Sequence, residues 1–438
     1  MVESLLNDAE QGVKLALAAG ANDCIVSASD SCSTSVDYRD GKLEKVQQSA
    51  HRGLSLRLYV DGKYSSHNTC DLRPEQLKRF IEDAVALTHY LEPDPYRVIP
   101  DPALFANQPK DDLQLVDSEV LDLSRDQCLD WLKSMDAATH ADKRVISSTS
   151  SVYHGRNMSA MASSNGFRGT RESTSAGYGS EVTLDEGNGK RPEAYRYVSK
   201  NHLSDLIPPE RTAAECLERA RARLGSTKLP TVRTMMVVDH EAAPHLLHYV
   251  MNALQAGALQ QKRSFLADKK DQRIGSELLT VTDDPLLRRG MGSRHFDGEG
   301  ISARRMPVIE NGVLKNYYVD TYYGKKLGWQ PTTGGASNLV IKPGTKSEQE
   351  LIGDAGDGIF VDGWLGGNSD GTTGDFSFGI KGHRIEKGKK TAPVSEMNIT
   401  GNFLSLLQSL IAVGNDPNPW STYMTPTLVF KDVQFSGE

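Results

Sequence analysis

No cysteine follows Cys216 in this chain of 438 residues, and the five present (Cys24, Cys32, Cys70, Cys128 and Cys216) form no CxxC pair. An odd count without a regular framework excludes a disulfide-stapled scaffold and favours reduced thiols in a cytoplasmic protein. Any metal site in the back half must therefore do without a thiolate of its own. Long apolar runs are missing too. No stretch approaches the roughly 20 apolar residues of a membrane span. Glu3, Asp8, Glu10 and Lys14 interrupt the N-terminus, where a secretory leader needs an unbroken apolar run. A soluble, cytoplasmic protein is the expectation.

Excess positive charge is also lacking. Fifty Lys and Arg stand against 57 Asp and Glu, a net charge of −7, which disfavours a nucleic-acid surface. The basic cluster Lys381, Arg384, Lys387, Lys389 and Lys390 reads better as a solvated hairpin turning at Lys387-Gly388. There is no GxSxG elbow for a catalytic serine. A cysteine nucleophile would need one of the five thiols beside a base, and nothing in the sequence marks such a pair. The glycine-rich run GWLGGNSDGTTGDFSFG, residues 363–379, lacks the GK[ST] ending and following helix of a phosphate loop. It suits a peptide-binding edge or tight β-corners equally well.

What is present indicates an α+β protein of two or three domains. Apolar residues at helical spacing open the chain (Leu5, Leu6, Ala9, Val13, Ala16), and a β-meander follows with turns at Asp40-Gly41 and Asp61-Gly62. Helices are expected over 74–91, 124–138 and 210–224, separated by a proline-rich strap at about 92–112 and by extended runs. We read residues 1–229 as an N-terminal domain mixing helices with an antiparallel meander. Residues 230–438 read as a mainly antiparallel β domain. In the latter, strands over 306–310 and 313–320 flank Asn311-Gly312, and a helix is expected over 401–413.

The stretch TVRTMMVVDHEAAPHLLHYVMNAL, residues 231–254, carries the candidate chemistry. A short apolar strand leads to Asp239 as an N-cap, then to a helix bearing His240, Glu241, His245 and His248. His240 and His245 could hold zinc as neutral imidazoles, while Glu241 accepts a proton from the bound water. The spacing is HExxxH, and residues five apart on a regular helix diverge by roughly 140°. Sharing one ion would require a distorted helix, for which Pro244 supplies a cause. A third ligand is not evident. His248 is the nearest candidate; Asp297 and Glu299 in HFDGEG could ligate metal, bind substrate or merely shape a turn, and His295 beside them has no diagnostic partner. The bland alternative is a helix start with exposed histidines.

The succession RGLSLRLYVDGKYSSHNTCDL, HEAAPH, FDGEG, IENGVLKNYYVDTYYGKKLG, TGDFSFGIKGHRIEKGKKTAPVSEMNITGN and VGND resembles the TldD/TldE (TldD/PmbA) metalloprotease family over nearly the whole chain. Its C-terminal block is closer to the TldE/PmbA branch. The resemblance implies a cytoplasmic heterodimer in which TldD binds zinc through HExxxH and a downstream cysteine, and TldE is a partner without a working site. It also implies a substrate of unfolded peptide, held by strand pairing. By this likeness His240 and His245 match the histidine ligands and Glu241 the catalytic glutamate. The cysteine has no counterpart, since VGNDPNPWSTYMTPTLVF contains none; Met424 is its only sulfur, and a thioether is not a usual zinc ligand. The expectation is a TldE/PmbA-like subunit working with a TldD-like partner or a second copy of itself, with zinc as cofactor if the site is functional. The alternatives are a self-sufficient HExxxH zinc peptidase and a nucleic-acid or gyrase-binding modulator.

Overall fold

The computed structural model describes residues 2–437. Helix α1 (Val2–Ala18) precedes three antiparallel strands, β1 (Asp23–Arg39), β2 (Lys42–Val60) and β3 (Lys63–Thr69), and then α2 (Pro74–Thr88). The Asp-Gly turns work as expected: Asp40 and Asp61 both adopt positive φ ahead of Gly41 and Gly62. Next come α3 (Ser118–Leu121), α4 (Arg125–Thr139), β4 (Val145–Ser163), β5 (Arg168–Leu184), β6 (Glu193–Lys200) and α5 (Pro209–Arg221). All six strands make one antiparallel sheet, ordered β3-β2-β1-β4-β5-β6. Its central strands are long enough to carry two separate helix layers. Leu5, Ala9, Val13 and Ala16 of α1 and Leu77, Ile81 and Ala84 of α2 bury against one part of it. Cys128, Leu132 and Met135 of α4 and Ala213 of α5 bury against another, over Val152, Tyr178 and Val198. A capping box at Ser124 and Gln127 starts α4.

Strand β6 is not apparent from the sequence. Its inward positions are Ala194, Arg196 and Val198, all buried, with Tyr195 and Tyr197 outward. An arginine in the middle inward position hides the alternation that would mark the strand.

Between α2 and α3 the chain is irregular apart from one short 3-10 turn. It reaches across the molecule: Arg97 lies between the rings of Tyr64 and Tyr322, and Leu113 accepts a backbone bond from Arg289.

The back half continues with β7 (Val232–Val238), α6 (Ala243–Ala253), α7 (Ala256–Gln260), β8 (Val281–Asp283), β9 (Met306–Glu310), β10 (Val313–Leu314), α8 (Thr321–Leu327), β11 (Leu339–Ile341) and α9 (Glu348–Ala355). It closes with β12 (Gly358–Ser369), β13 (Asp375–Glu386), β14 (Lys389–Asn402), α10 (Phe403–Gln408), β15 (Leu410–Val413), β16 (Tyr423–Met424) and β17 (Leu428–Ser436). One sheet runs β10-β9-β8-β11-β16. Another runs β14-β13-β12-β7-β17-β15, and a further β14–β17 pairing joins β7, β12, β13, β14 and β17 into a closed ring. Among these strands, pairing is antiparallel except for β7–β12 and β11–β16. The architecture is thus α+β and mostly antiparallel, as expected.

Two expected elements are corrected. The apolar pattern over 401–413 is not one helix: α10 stops at Gln408, and β15 then pairs Leu410 with Phe430 and Val413 with Leu428. Strand pairing outcompetes helical periodicity there. The strand expected over 313–320 ends at Leu314, and Asp320 instead caps α8 by accepting from the Tyr323 N–H.

The glycine-rich run forms the β12–β13 hairpin, with bulges between Val361 and Gly363 and between Trp364 and Gly367. Gly367 has φ 140°, and a Cβ there would meet the Ser377 carbonyl oxygen at 2.2 Å. Because β7 pairs only with Gly358 to Val361, the outer edge of residues 363–369 has no strand partner among the described residues. Among the same residues, no helix is long and apolar enough to cross a membrane.

Candidate functional site

Strand β7 runs between β12 and β17, buries its last three residues, Met236, Val237 and Val238, and delivers the chain to Asp239. The Asp239 N–H bonds to the Val361 carbonyl at 3.0 Å, while its carbonyl accepts from Ala242 and Ala243. Its Oδ1 accepts from the Glu241 N–H at 2.6 Å. This local ring of bonds makes a turn, so His240 and Glu241 lie before α6, which begins at Ala243. Pro244 sits in the first turn, where a missing N–H costs nothing. The expected single helix carrying His240 through His248, distorted by Pro244, is therefore corrected: a turn followed by an undistorted helix start replaces it.

Glu241 is claimed by two arginines from the N-terminal half. Arg196 Nη1, on β6, bonds Oε1, and Arg219 Nη1, on α5, bonds Oε2 at 2.8 Å. The Arg196 side chain is only 7 % exposed and also holds Glu215 at 3.1 Å. Burial alone would raise the Glu241 pKa, but bonds from His240 and Arg219 and the two guanidinium charges drive it well below the usual carboxylate range.

His240 is enclosed by acids. Its Nδ1 lies 3.3 Å from Asp416 Oδ2, and its Nε2 3.7 Å from Glu241 Oε1. The Nδ1 contact lies off the line of a good hydrogen bond, so charge carries it. Burial opposes protonation, yet Asp416 and Glu241 prevail and raise the ring to about 10. Asp416 is itself fixed by the Thr427 N–H at 3.0 Å and Thr427 Oγ1 at 2.7 Å. Asp239, behind the turn, is pushed by burial up to about 6.

His245 lies in a different environment. Its ring stacks on Trp364 at 5.0 Å and meets Tyr249 and Phe378 edge-on. Burial, then the neighbouring His248, lowers its pKa. His248 is exposed and bonds Asn252 at 3.0 Å. Asp297 is spent on the Glu299 and Ile301 N–H groups and on Thr333 and Gly334. Glu299 accepts from Thr321 N–H and Oγ1, both at 2.8 Å, and His295 bonds the Asp111 carbonyl. Asp297 shapes its own turn, while Glu299 holds the start of α8 and His295 ties down the segment before α3.

Metal fit follows from these donors. A ligating imidazole offers a free nitrogen, and both nitrogens of His240 face carboxylates, Asp416 at Nδ1 and Glu241 at Nε2. Among the described residues, the set of three close ligand atoms that includes His240 is completed by Asp239 and Glu348, and not by Glu241 or His245. Glu348 is in turn paired with Lys390 at 2.8 Å. No such group of three among the described residues contains both His240 and His245.

Three residues that complete the site escaped the sequence reading. Arg196 lies on the hidden strand. Arg219 lies on an expected helix whose several arginines look alike in sequence. Asp416 belongs to VGND, which carried a resemblance but no stated role. The same seam also holds Arg223, 3.8 Å from Asp362, and His383, which bonds the Ala222 carbonyl at 3.0 Å.

Three family models match the chain in succession: PmbA/TldA metallopeptidase domain 1 over residues 24–88, the central domain over 118–224 and the C-terminal domain over 231–437. The metalloprotease PmbA of Escherichia coli O157:H7 is 28% identical over 433 residues, covering 97% of this chain and 94% of its own length. A crystal structure from Bacteroides thetaiotaomicron, described as a candidate modulator of DNA gyrase, is 40% identical with a TM-score of 0.96, covering 99% of this chain and 98% of its own. TldE from Thermococcus kodakarensis shares the fold at TM-score 0.86 and 21% identity, covering 98% of this chain and 100% of its own.

Proposed function

The chain belongs to the PmbA/TldD metallopeptidase family, and we propose that within it the chain is a PmbA/TldE-like partner subunit of a cytosolic peptidase that trims unfolded peptides. One observation carries this reading: Glu241 is held by Arg196 and Arg219. A general base needs a pKa near the working pH and an open lone pair for the water it deprotonates. A carboxylate neutralised by two guanidiniums is held well below that pKa, and each of its oxygens is already engaged. On this reading the zinc chemistry belongs to a TldD-like subunit, and the role of this chain is to hold peptide and complete the assembly.

The unpaired edge of residues 363–369 supports peptide holding. Its glycines let another backbone approach, and main-chain pairing needs little side-chain selectivity. The two halves meeting near Pro230 are proposed to act as separate domains, joined through the Arg196 and Arg219 seam. A nucleic-acid role has less support, since Lys390 of the basic cluster is committed to Glu348 and lies over the Phe360 ring.

The test is reconstitution. Mixed with a separately made TldD-like subunit, this chain should raise cleavage of an unfolded peptide at least about tenfold, the scale of a missing positioning element. Cleavage that is unchanged when this chain is omitted rules out the partner role. Zinc-dependent cleavage by this chain alone would establish the self-sufficient alternative.

A further inference from the structure

We propose that Cys70 is a nucleophilic thiol, paired with His51 as its base and open to reversible modification by small disulfides. Sequence alone pairs no cysteine with a base, because the partners are 19 residues apart and meet only through strand pairing. Cys70 follows β3, just beyond the last β2–β3 pair, Leu54 with Thr69. Its Sγ lies 3.4 Å from His51 Nε2. Both side chains are exposed.

The imidazole is seated rather than loose. His51 and Gly53 share one face of β2, and a Cβ at Gly53 would come within 3.0 Å of His51 Cε1. The missing side chain leaves room for the ring to lie along the strand towards the sulfur. Among the described residues none pairs with β2 on its outer side before Leu54, so a reagent reaches this end of the strand freely.

The remaining thiols offer a contrast. Cys24, Cys128 and Cys216 are buried, and burial pushes Cys24 and Cys216 up to about 12. Cys32 is exposed but makes no such imidazole contact among the described residues. It is also the strand neighbour of Ser31, which pairs with His51, so Cys32 points to the opposite face. An internal disulfide between Cys32 and Cys70 is therefore excluded by geometry, and the acceptor must come from solution. Acyl transfer fits less well, because among the described residues no third side chain bonds to the far nitrogen of His51 to orient it.

In the exchange, His51 Nε2 takes the thiol proton and the Cys70 thiolate attacks one sulfur of the disulfide. The S–S bond breaks, a mixed disulfide forms on Cys70, and the other half leaves as a thiolate with the electron pair. Oxidation of Cys70 is balanced by reduction of the released half.

The test uses the full native chain and 5,5′-dithiobis(2-nitrobenzoate) at pH 7, with the modified cysteine identified by peptide mass mapping. Cys70 should react about tenfold faster than Cys32, the size of effect a neighbouring imidazole gives an exposed thiol. His51→Ala should bring the Cys70 rate down to that of Cys32 while the circular dichroism spectrum stays unchanged, and Cys70→Ser should remove the fast phase. Equal rates in the wild-type chain overturn the proposal. So does a fast Cys70 that is indifferent to His51→Ala.

Discussion

Glu241→Gln is expected to lower the stability of the folded chain by about 3 kcal/mol, the scale of breaking one side of a buried ion pair. The amide keeps roughly the shape of the carboxylate but loses its charge. Arg196 and Arg219 then face each other across a neutral group, with Arg196 almost wholly buried and only Glu215 left to balance it. The urea midpoint should fall accordingly. Arg219→Lys should cost less, since it keeps the charge and loses only the fork geometry. A water-activating glutamate would behave in the opposite way: its change to glutamine removes cleavage and leaves the midpoint nearly where it was. An unchanged midpoint for Glu241→Gln would therefore sink the ion-pair role.

Titration supplies the second large effect. The charged form of His240 is held by Asp416 and Glu241, so its folded value, about 10, lies above the ~6.5 of a free imidazole. The stabilisation it contributes is complete below about 6.5 and disappears as the pH rises through about 10, a loss on the order of 5 kcal/mol. Glu241 and Asp416 have depressed values and act in the other direction. Their contribution is complete above the ~4 of free carboxyls and is lost as the pH falls towards their folded values. Asp239, raised to about 6, opposes them: ionising it costs stability between ~4 and about 6. The urea midpoint of the wild-type chain should thus decline from pH 7 to pH 10, and His240→Gln should flatten that limb. Parallel profiles for the two proteins would remove His240 from the network.

Much of the fold was legible because local chemistry and tertiary packing agree. Asp-Gly and Asn-Gly turns, the spacing of Leu5, Ala9, Val13 and Ala16, and the helix expected over 124–138 all work as they read. Legibility failed where distant pairing decided the outcome. Leu410 to Val413 carry a helical pattern but find β17, and Arg196 interrupts the alternation of β6 because it is aimed at Glu241 and Glu215. The site shows the same division. HExxxH marks the correct turn, but the groups that set its chemistry lie on β6, on α5 and between β15 and β16 and cannot be placed from spacing. Cys70 and His51 were likewise invisible as a pair until β2 and β3 were aligned.

Zinc content is the most direct test of whether the HE pair serves charge pairing or metal chemistry. With both nitrogens of His240 facing carboxylates and Glu241 tied to Arg196 and Arg219, the chain purified alone and analysed by atomic emission should carry no stoichiometric zinc after dialysis against zinc-containing buffer. About one zinc per chain, lost in both His240→Ala and His245→Ala, would contradict it.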